Sequence, residues 1–373
     1  MSVTRAAGPA IAIYASGHGF GHAARMSALL EVLQPTLGDD FALHVRSDAP
    51  TWLFHETAPE VIVHPVAADP GIPQQNALDV DLHATVEAHR SHLEAWPSLL
   101  ERESGWLRET GVVLVIADVS PLACAAAARA EIPAVAVSNF GWDWILEPYC
   151  AEAPELETAV ERYGQAYAGA ECLYRLPLHG FLPTFEPVVE VPHLVRPSRL
   201  EAAEVRQRLG LSSEDDRPLV LVSFGGFSRD TLLKAGGAES GLRDFVFAGF
   251  AERPAGFQGT WRALPHPSPI SHPDLVAAAD VVIGKAGYST VAEVLAQRTR
   301  FLHVPRPDWA EAAILTAGLE RDGCTLPIGR HDFFACRWRT PLEAILAKPL
   351  PPEAPPCNGA ATITRAIERR LPT

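Results

Sequence analysis

The chain has 373 residues, 47% of them hydrophobic, and its 45 Asp and Glu outweigh 31 Lys and Arg for a formal net charge of -14. That length exceeds one ordinary core and suits two domains, while the acidic balance argues against nucleic acid or an anionic membrane surface as partner. No apolar stretch approaches the roughly 20 residues that span a bilayer, residues 1–9 lack a signal-peptide core, and the six cysteines show no C-x-x-C spacing, so the expectation is a cytoplasmic protein with reduced thiols.

The first predicted strand, residues 11–15, runs into Ser16-Gly-His-Gly-Phe-Gly-His22 and then into a helical pattern over 23–33. This is not the dinucleotide fingerprint, because His22 stands where the third glycine belongs. The alternating glycines Gly17, Gly19 and Gly21 keep His18 and His22 off a shared helix face, so they make a poor metal pair. They suit a turn that places one imidazole in a cleft, where histidine is the usual general base; a helix-start histidine with a local hydrogen bond is the structural alternative. Strands follow at 41–46 and 61–63. Asp79-Val-Asp81 sits in a polar segment and reads as surface rather than a metal site. A long helix covers 82–109, bent or divided at Pro97, with His83, His89 and His92 on a solvated face.

Next come a strand at 112–117 ending in Asp118, a helix over 121–130, and strands at 134–138 and 172–176. Asp118, just before Val119-Ser-Pro, can cap that helix. After the 134–138 strand, Trp142 and Asp143 can stack on and hydrogen-bond a sugar acceptor, or form a core aromatic cluster. The alternation of strand and helix implies a doubly wound parallel sheet over 1–180. The proline-rich stretch around 181–198 suits a linker.

A second alternation fills 199–348: a helix at 201–209, then strands at 219–224, 244–248, 260–263, 281–284 and 301–304. Val220–Ser228 places the glycine turn Gly225-Gly226 after a buried strand, able to face a diphosphate. In Gly284-Lys-Ala-Gly-Tyr-Ser-Thr-Val-Ala-Glu293 the apolar strand breaks at Gly284 and Gly287, and Ser289 or Thr290 caps the next helix. A helix start carries unpaired N–H groups and a positive dipole end, which suits a phosphate, with Glu293 one turn on and within reach of a ribose. Thr290-x-x-Glu293 is equally a capping box. Lys285 either adds a positive charge to the diphosphate or is solvated. The tail 349–373 is extended and then helical. Two such halves, with ligand loops at their strand ends, direct the chemistry to the cleft between them.

Taken together, Gly17-His-Gly-Phe-Gly-His-Ala-Ala-Arg25 and Gly284–Glu293 resemble the GT-B glycosyltransferases. The likeness is greatest to the glycosyltransferase-like domain at the front of L-arabinokinases, and more distant to the lipid II N-acetylglucosaminyltransferase. The resemblance implies two Rossmann-like domains and no metal or other cofactor, with a final helix returning towards the first domain. It implies His22 as the base and Asp118 as the group that orients it, with His18, Gly19, Gly21, Trp142 and Asp143 on the acceptor side. Gly225, Gly226, Lys285, Gly287, Ser289, Thr290, Glu293 and Glu311 fall to the nucleotide sugar. Many relatives hold the donor sugar with an acid–glutamine pair where Ala310-Glu311 stands here, so the donor sugar is left open. The implied function is transfer of a sugar from a nucleotide diphosphate donor, expected to be a UDP-sugar, to a hydroxyl acceptor. A non-catalytic sugar-nucleotide-binding module and a hydrolysing 2-epimerase, with Asp308 and Glu311 as its acids, are the alternatives.

Overall fold

A computed structural model describes residues 8–227, 242–250, 252–254, 257 and 259–372; Ser228, the end of one glycine motif, lies outside them. The chain forms two compact units. Unit 1 takes the chain up to Pro73, Val80–Leu194 and the segment from Asn358; unit 2 takes Gln74–Asp79 and Val195–Cys357.

In unit 1, seven parallel strands are ordered β3-β2-β1-β4-β5-β6-β7. They are β1 (Ala10–Ala15), β2 (Ala42–Arg46), β3 (Ile62–His64), β4 (Val112–Asp118), β5 (Ala134–Ser138), β6 (Cys172–Arg175) and β7 (Val188–Glu190). All six residues of β1 are buried, as a central strand covered on both faces requires. The order reverses between β1 and β4, whose register pairs Ala15 with Asp118. Such a switch point leaves an opening at the strands' carboxyl ends. The last helix, Gly359–Glu368, packs on the first, Gly21–Leu37, and Ile363 and Ile367 complete the unit 1 core.

Unit 2 holds β8 (Leu219–Ser223), β9 (Val246–Gly249), β10 (Trp261–Ala263), β11 (Val281–Lys285), β12 (Arg300–Val304) and β13 (Cys324–Pro327), in the order β10-β9-β8-β11-β12-β13. Its core is aromatic, with Phe247, Phe257, Trp261, Phe333 and Trp338 against the sheet. The doubly wound α/β expectation holds in both units. Among the described residues no helix is long and apolar enough to cross a membrane.

Several local expectations are corrected. The helix Leu82–Glu109 runs through Pro97 unbroken. One lost backbone hydrogen bond is affordable in 28 residues anchored along their length. Of its histidines only His83 is exposed: His89 is buried, bonded to Gly71 O at 2.9 Å and to the Tyr163 hydroxyl at 2.9 Å, and His92 is half-buried, edge-on to Trp96. Thr85, His89, His92 and Trp96 recur at helical spacing, so polar neighbours in sequence hid an inward stripe. The proline-rich stretch contributes β7 to the first sheet. Strand β13, four residues ending in proline, had too little pattern to be foreseen. Asp79 and Asp81 part company: Asp81 caps the long helix through Ala84 N, while Asp79 pairs with Arg330 in unit 2. The 74–79 segment goes to unit 2 because Ala77 and Leu78 enter its core and Trp309 Nε1 donates to Leu78 O at 3.1 Å.

Gly284 lies within β11 and is required by strand approach rather than by a ligand. A Cβ there would stand 2.1 Å from Ser223 O on the paired strand. Gly284→Ala is expected to force β8 and β11 apart and to cost about 1–3 kcal/mol, as for overpacked cores. Urea unfolding measures this; an unchanged midpoint would show that the sheet gives way there freely.

Candidate functional site

In unit 1 the polar groups gather at the carboxyl ends of β1 and β4. The turn after β1 is shaped by its glycines. A Cβ on Gly17 would fall 1.7 Å from the Asp48 carboxylate, and Gly19 has φ 69°, a conformation that favours glycine. The helix then starts at Gly21, which puts His22 in its first turn and Arg25 three residues on, along the same face.

These two side chains converge on Asp118, the fully buried end of β4. His22 Nδ1 lies 3.2 Å from Asp118 Oδ1. Arg25 grips both carboxylate oxygens, Oδ2 from Nε at 3.3 Å and Oδ1 from Nη2, while its Nη1 donates to Asn139 Oδ1 at 2.5 Å. Burial pushes the Asp118 carboxyl up, but Arg25 and His22 outweigh it and hold it below its ordinary range. Arg25 Nη2 also lies 3.2 Å from His22 Nδ1; in the tautomer whose Nδ1–H donates to Asp118, Nε2 is the basic atom. The capping reading of Asp118 is ruled out, since the helix Pro121–Ala130 is capped by Ser120, which accepts from Ala123 N. Val119, between them, has φ 66°, costly for a β-branched residue. Its carbonyl is held by the Tyr167 hydroxyl at 2.5 Å, which also accepts from Trp142 N at 3.1 Å.

The structure brings His18 and Trp142 to this cluster. Trp142 is buried, 5.9 Å from the His18 ring and 6.1 Å from that of His22 between centroids, with Phe140 beside it. Asp143 turns away: it lies buried at the start of the helix Trp142–Leu146, takes a bond from Thr184 Oγ1 at 3.3 Å, and lines a separate hollow with Trp144 and Phe181. Sequence reasoning missed Arg25 as a working residue, although its spacing from His22 was a legible signal. It also missed Asp69, which lies in no recognisable motif. Asp69 is buried behind the turn, accepting from Ser16 Oγ at 2.7 Å.

In unit 2, Gly225 has φ 66° with open space beside it, and the turn Gly225–Phe227 continues through Gly226. Gly287 is the N-cap of the helix Tyr288–Gln297, and space is open beside it too. Ser289 and Thr290 therefore sit inside the first turn rather than at the N-cap, and the capping-box reading of Glu293 fails with them. Glu293 is instead buried between Arg196 Nη2 at 3.1 Å and His272 Nδ1 at 2.5 Å, and His272 Nε2 meets Ser223 Oγ at 2.8 Å. Burial raises the Glu293 carboxyl, but His272 and Arg196 more than reverse it. Two of the roughly four lone-pair directions of a carboxylate are thus taken, leaving capacity for a further donor.

Lys285 ends β11 only partly exposed, not solvated; burial and then Arg306 push its ammonium well below the ordinary range. Arg306 lies over the Trp309 ring at 4.2 Å, donates to Ala286 O at 3.0 Å and meets Glu311 Oε1 at 3.3 Å. Phe250 and His266 stack at 4.5 Å with 7° between planes, an aromatic platform that spacing could not disclose.

No family model matches the chain. It is 33% identical over 347 residues to the L-arabinokinase of Arabidopsis thaliana, covering 91% of this chain and 32% of that protein, so it spans about a third of the curated relative's length. A glycotransferase of kitacinnamycin superposes with TM-score 0.62 at 15% identity, over 98% of this chain and 100% of the other. Arabidopsis thaliana UGT89C1, solved with UDP, superposes with TM-score 0.59 at 15% identity, over 97% and 94%. The fold is that of the GT-B glycosyltransferases.

Asp118 depends on Arg25. Because its folded pKa is depressed, it contributes stability above about pH 4 that is lost as pH falls further. Arg25→Met is expected to cost about 3–5 kcal/mol at pH 7, as for a buried pair stripped of one partner. The penalty should shrink on acidification as Asp118 takes up a proton. Denaturant unfolding at pH 7 and pH 5 tests this; a variant as stable as the parent at pH 7 would contradict it.

Proposed function

We propose that the chain is a metal-independent glycosyltransferase that takes a sugar from a nucleoside diphosphate donor, a uridine one in the first instance, to a hydroxyl acceptor. The observation that carries the reading is the His22–Asp118 pairing at the switch point of the first sheet. An imidazole with one nitrogen tied to a buried carboxylate and the other available is the arrangement a general base needs.

The acceptor O–H gives its proton to His22 Nε2 and its oxygen bonds to the anomeric carbon. The bond from that carbon to the donor phosphate oxygen breaks, and the electron pair leaves with the nucleoside diphosphate. Unit 2 has the parts to bind that leaving group. The start of the helix Tyr288–Gln297 beyond Gly287 offers N–H groups and Arg306 carries positive charge, while Lys285, whose charged form burial and Arg306 disfavour, would be drawn back to it by a diphosphate. These groups can neutralise a diphosphate without a cation, which is the ground for proposing metal independence. Glu293 would take the ribose with its remaining lone pairs, and the Phe250–His266 stack offers the base a flat surface. Glu311 would meet the donor sugar, a reading supported by its buried Oε2, which has no hydrogen-bond partner among the described residues.

A second reading, a sugar-nucleotide-binding module without transfer, draws support from two observations. The curated relative is named for kinase activity, and Glu293 and Glu311 are already engaged by arginines of their own unit.

The nucleotide class is tested by thermal unfolding against UDP, GDP, ADP and NAD, since a ligand stabilises by RT ln(1 + [L]/Kd). UDP is expected to raise the transition temperature selectively. Glu293→Gln is expected to weaken UDP by about 1–3 kcal/mol, the range for a lost charged hydrogen bond. A response to NAD alone, or to no nucleoside diphosphate, would overturn the proposal.

A further inference from the structure

The hollow beside Asp143 has a volume of about 390 Å³. Three segments of unit 1 wall it: the helix Trp142–Leu146 with the turn Glu147–Ala151 after it, the helix Glu157–Tyr167, and the loop before β7. Two glycines keep its shape. Gly164 lies inside the helix Glu157–Tyr167, where glycine is unfavourable. A Cβ there would stand 3.4 Å from Thr184 Cγ2 and 3.6 Å from Asp143 Oδ2, in the space the hollow now has. Gly180 lets the loop backbone lie against the Trp144 indole, which comes within 2.6 Å of where its Cβ would be. The loop is anchored further on as well. Leu182 and Phe185 are buried, and the Phe185 ring packs on that of Tyr167 at 4.9 Å.

Phe181 stands apart from these anchors, 74% exposed. One exposed aromatic side chain is ordinary on a protein surface. This one lines the same hollow as Trp144, so two aromatic rings border one space. They offer an apolar body somewhere to lie, and a cation a π-face to approach.

The polar groups of the wall are of one kind. Its ionisable side chains are Asp143, Glu147 and Glu161, and no lysine, arginine or histidine lines the hollow beside them. The hydroxyl and amide of the wall are turned onto these acids. Thr184 Oγ1 donates to Asp143 Oδ2 at 3.3 Å, and Gln165 Nε2 donates to Glu161 Oε1 at 3.2 Å. Carboxylates only accept, so the capacity left over is for donors. Asp143 is the acid in greatest need of one. It is 9% exposed, and its Oδ1 is buried without a hydrogen-bond partner. Burial pushes its carboxyl up, against a weaker pull from the Trp144 N–H and from Thr184. A sugar, whose hydroxyls accept as well as donate, matches this wall less well than a group that carries positive charge and only donates.

We propose that the hollow binds an organic cation: a small molecule with a primary ammonium group set against the acids and an apolar body against Trp144 and Phe181. The site is separate from the His22 cluster, and the proposal stands whether or not the chain transfers a sugar.

The test uses the full chain and two probes of nearly equal size, 2-phenylethylamine, an ammonium ion at pH 7, and its uncharged counterpart 2-phenylethanol. Saturation-transfer NMR of each probe at fixed ionic strength gives its affinity. The amine is expected to bind with a Kd of about 1 mM, and the alcohol roughly tenfold more weakly. Phe181→Ala and Glu147→Gln alter exposed side chains, and each should weaken the amine about threefold. Gly164→Ala should weaken it by a similar factor through volume alone, with no change of charge. Raising the salt should weaken the amine and leave the alcohol unmoved. Equal affinities for amine and alcohol overturn the proposal, as does amine binding that none of the three variants disturbs. Methyl glucoside bound more tightly than the amine, and lost with Phe181→Ala, would also overturn it and make the hollow a sugar site.

Discussion

Everything in the first unit's chemistry hangs on one buried carboxylate at the end of β4. Asp118 has no exposure, and it is tolerable there only because Arg25 meets both of its oxygens. That requirement fixes the face of the first helix, and the helix face fixes His22, three residues earlier. The glycine turn, the strained Val119 and the Tyr167 hydroxyl that braces it are all ways of bringing helix, strand and loop to that point. An imidazole held so firmly would need no rearrangement to take up a proton.

The second unit uses the same device in another form. Glu293 is buried like Asp118, and is met by Arg196 and His272 instead of one forked arginine. His272 passes the constraint on to Ser223 at the end of β8, tying the helix Tyr288–Gln297 to the carboxyl end of the neighbouring strand. In both units, then, an acid at a sheet's switch point is buried and paired, and the loops around it carry the groups available to a ligand.

The architecture was legible because parallel strands buried on both faces read as unbroken apolar runs: Val112–Asp118 and Val281–Lys285 show this, the second followed by the turn at Gly287. The pairing of His22 with Asp118 was accessible only through resemblance, since 96 residues separate them and nothing in spacing joins them. Three things were hidden. Glycine has several uses, and sequence cannot say that Gly284 answers to Ser223 O rather than to a ligand. A Ser-Thr pair near a helix start does not reveal that Gly287 is the cap. A side chain that matters by charge, such as Arg25, declares itself only when its long-range partner is known.

The central claim is that His22 removes a proton from an acceptor in a sugar transfer. The most direct measurement is release of UDP from a set of UDP-sugars, with glycerol or water as acceptor, by the intact chain and by His22→Ala, alongside UDP affinity for each. With His22 as the base, at least one donor is turned over, His22→Ala lowers kcat by about 10²–10⁴, and UDP affinity is unchanged. Equal rates for the two proteins would contradict it. So would tight UDP binding with no donor consumed by either, which would leave the chain a binding module.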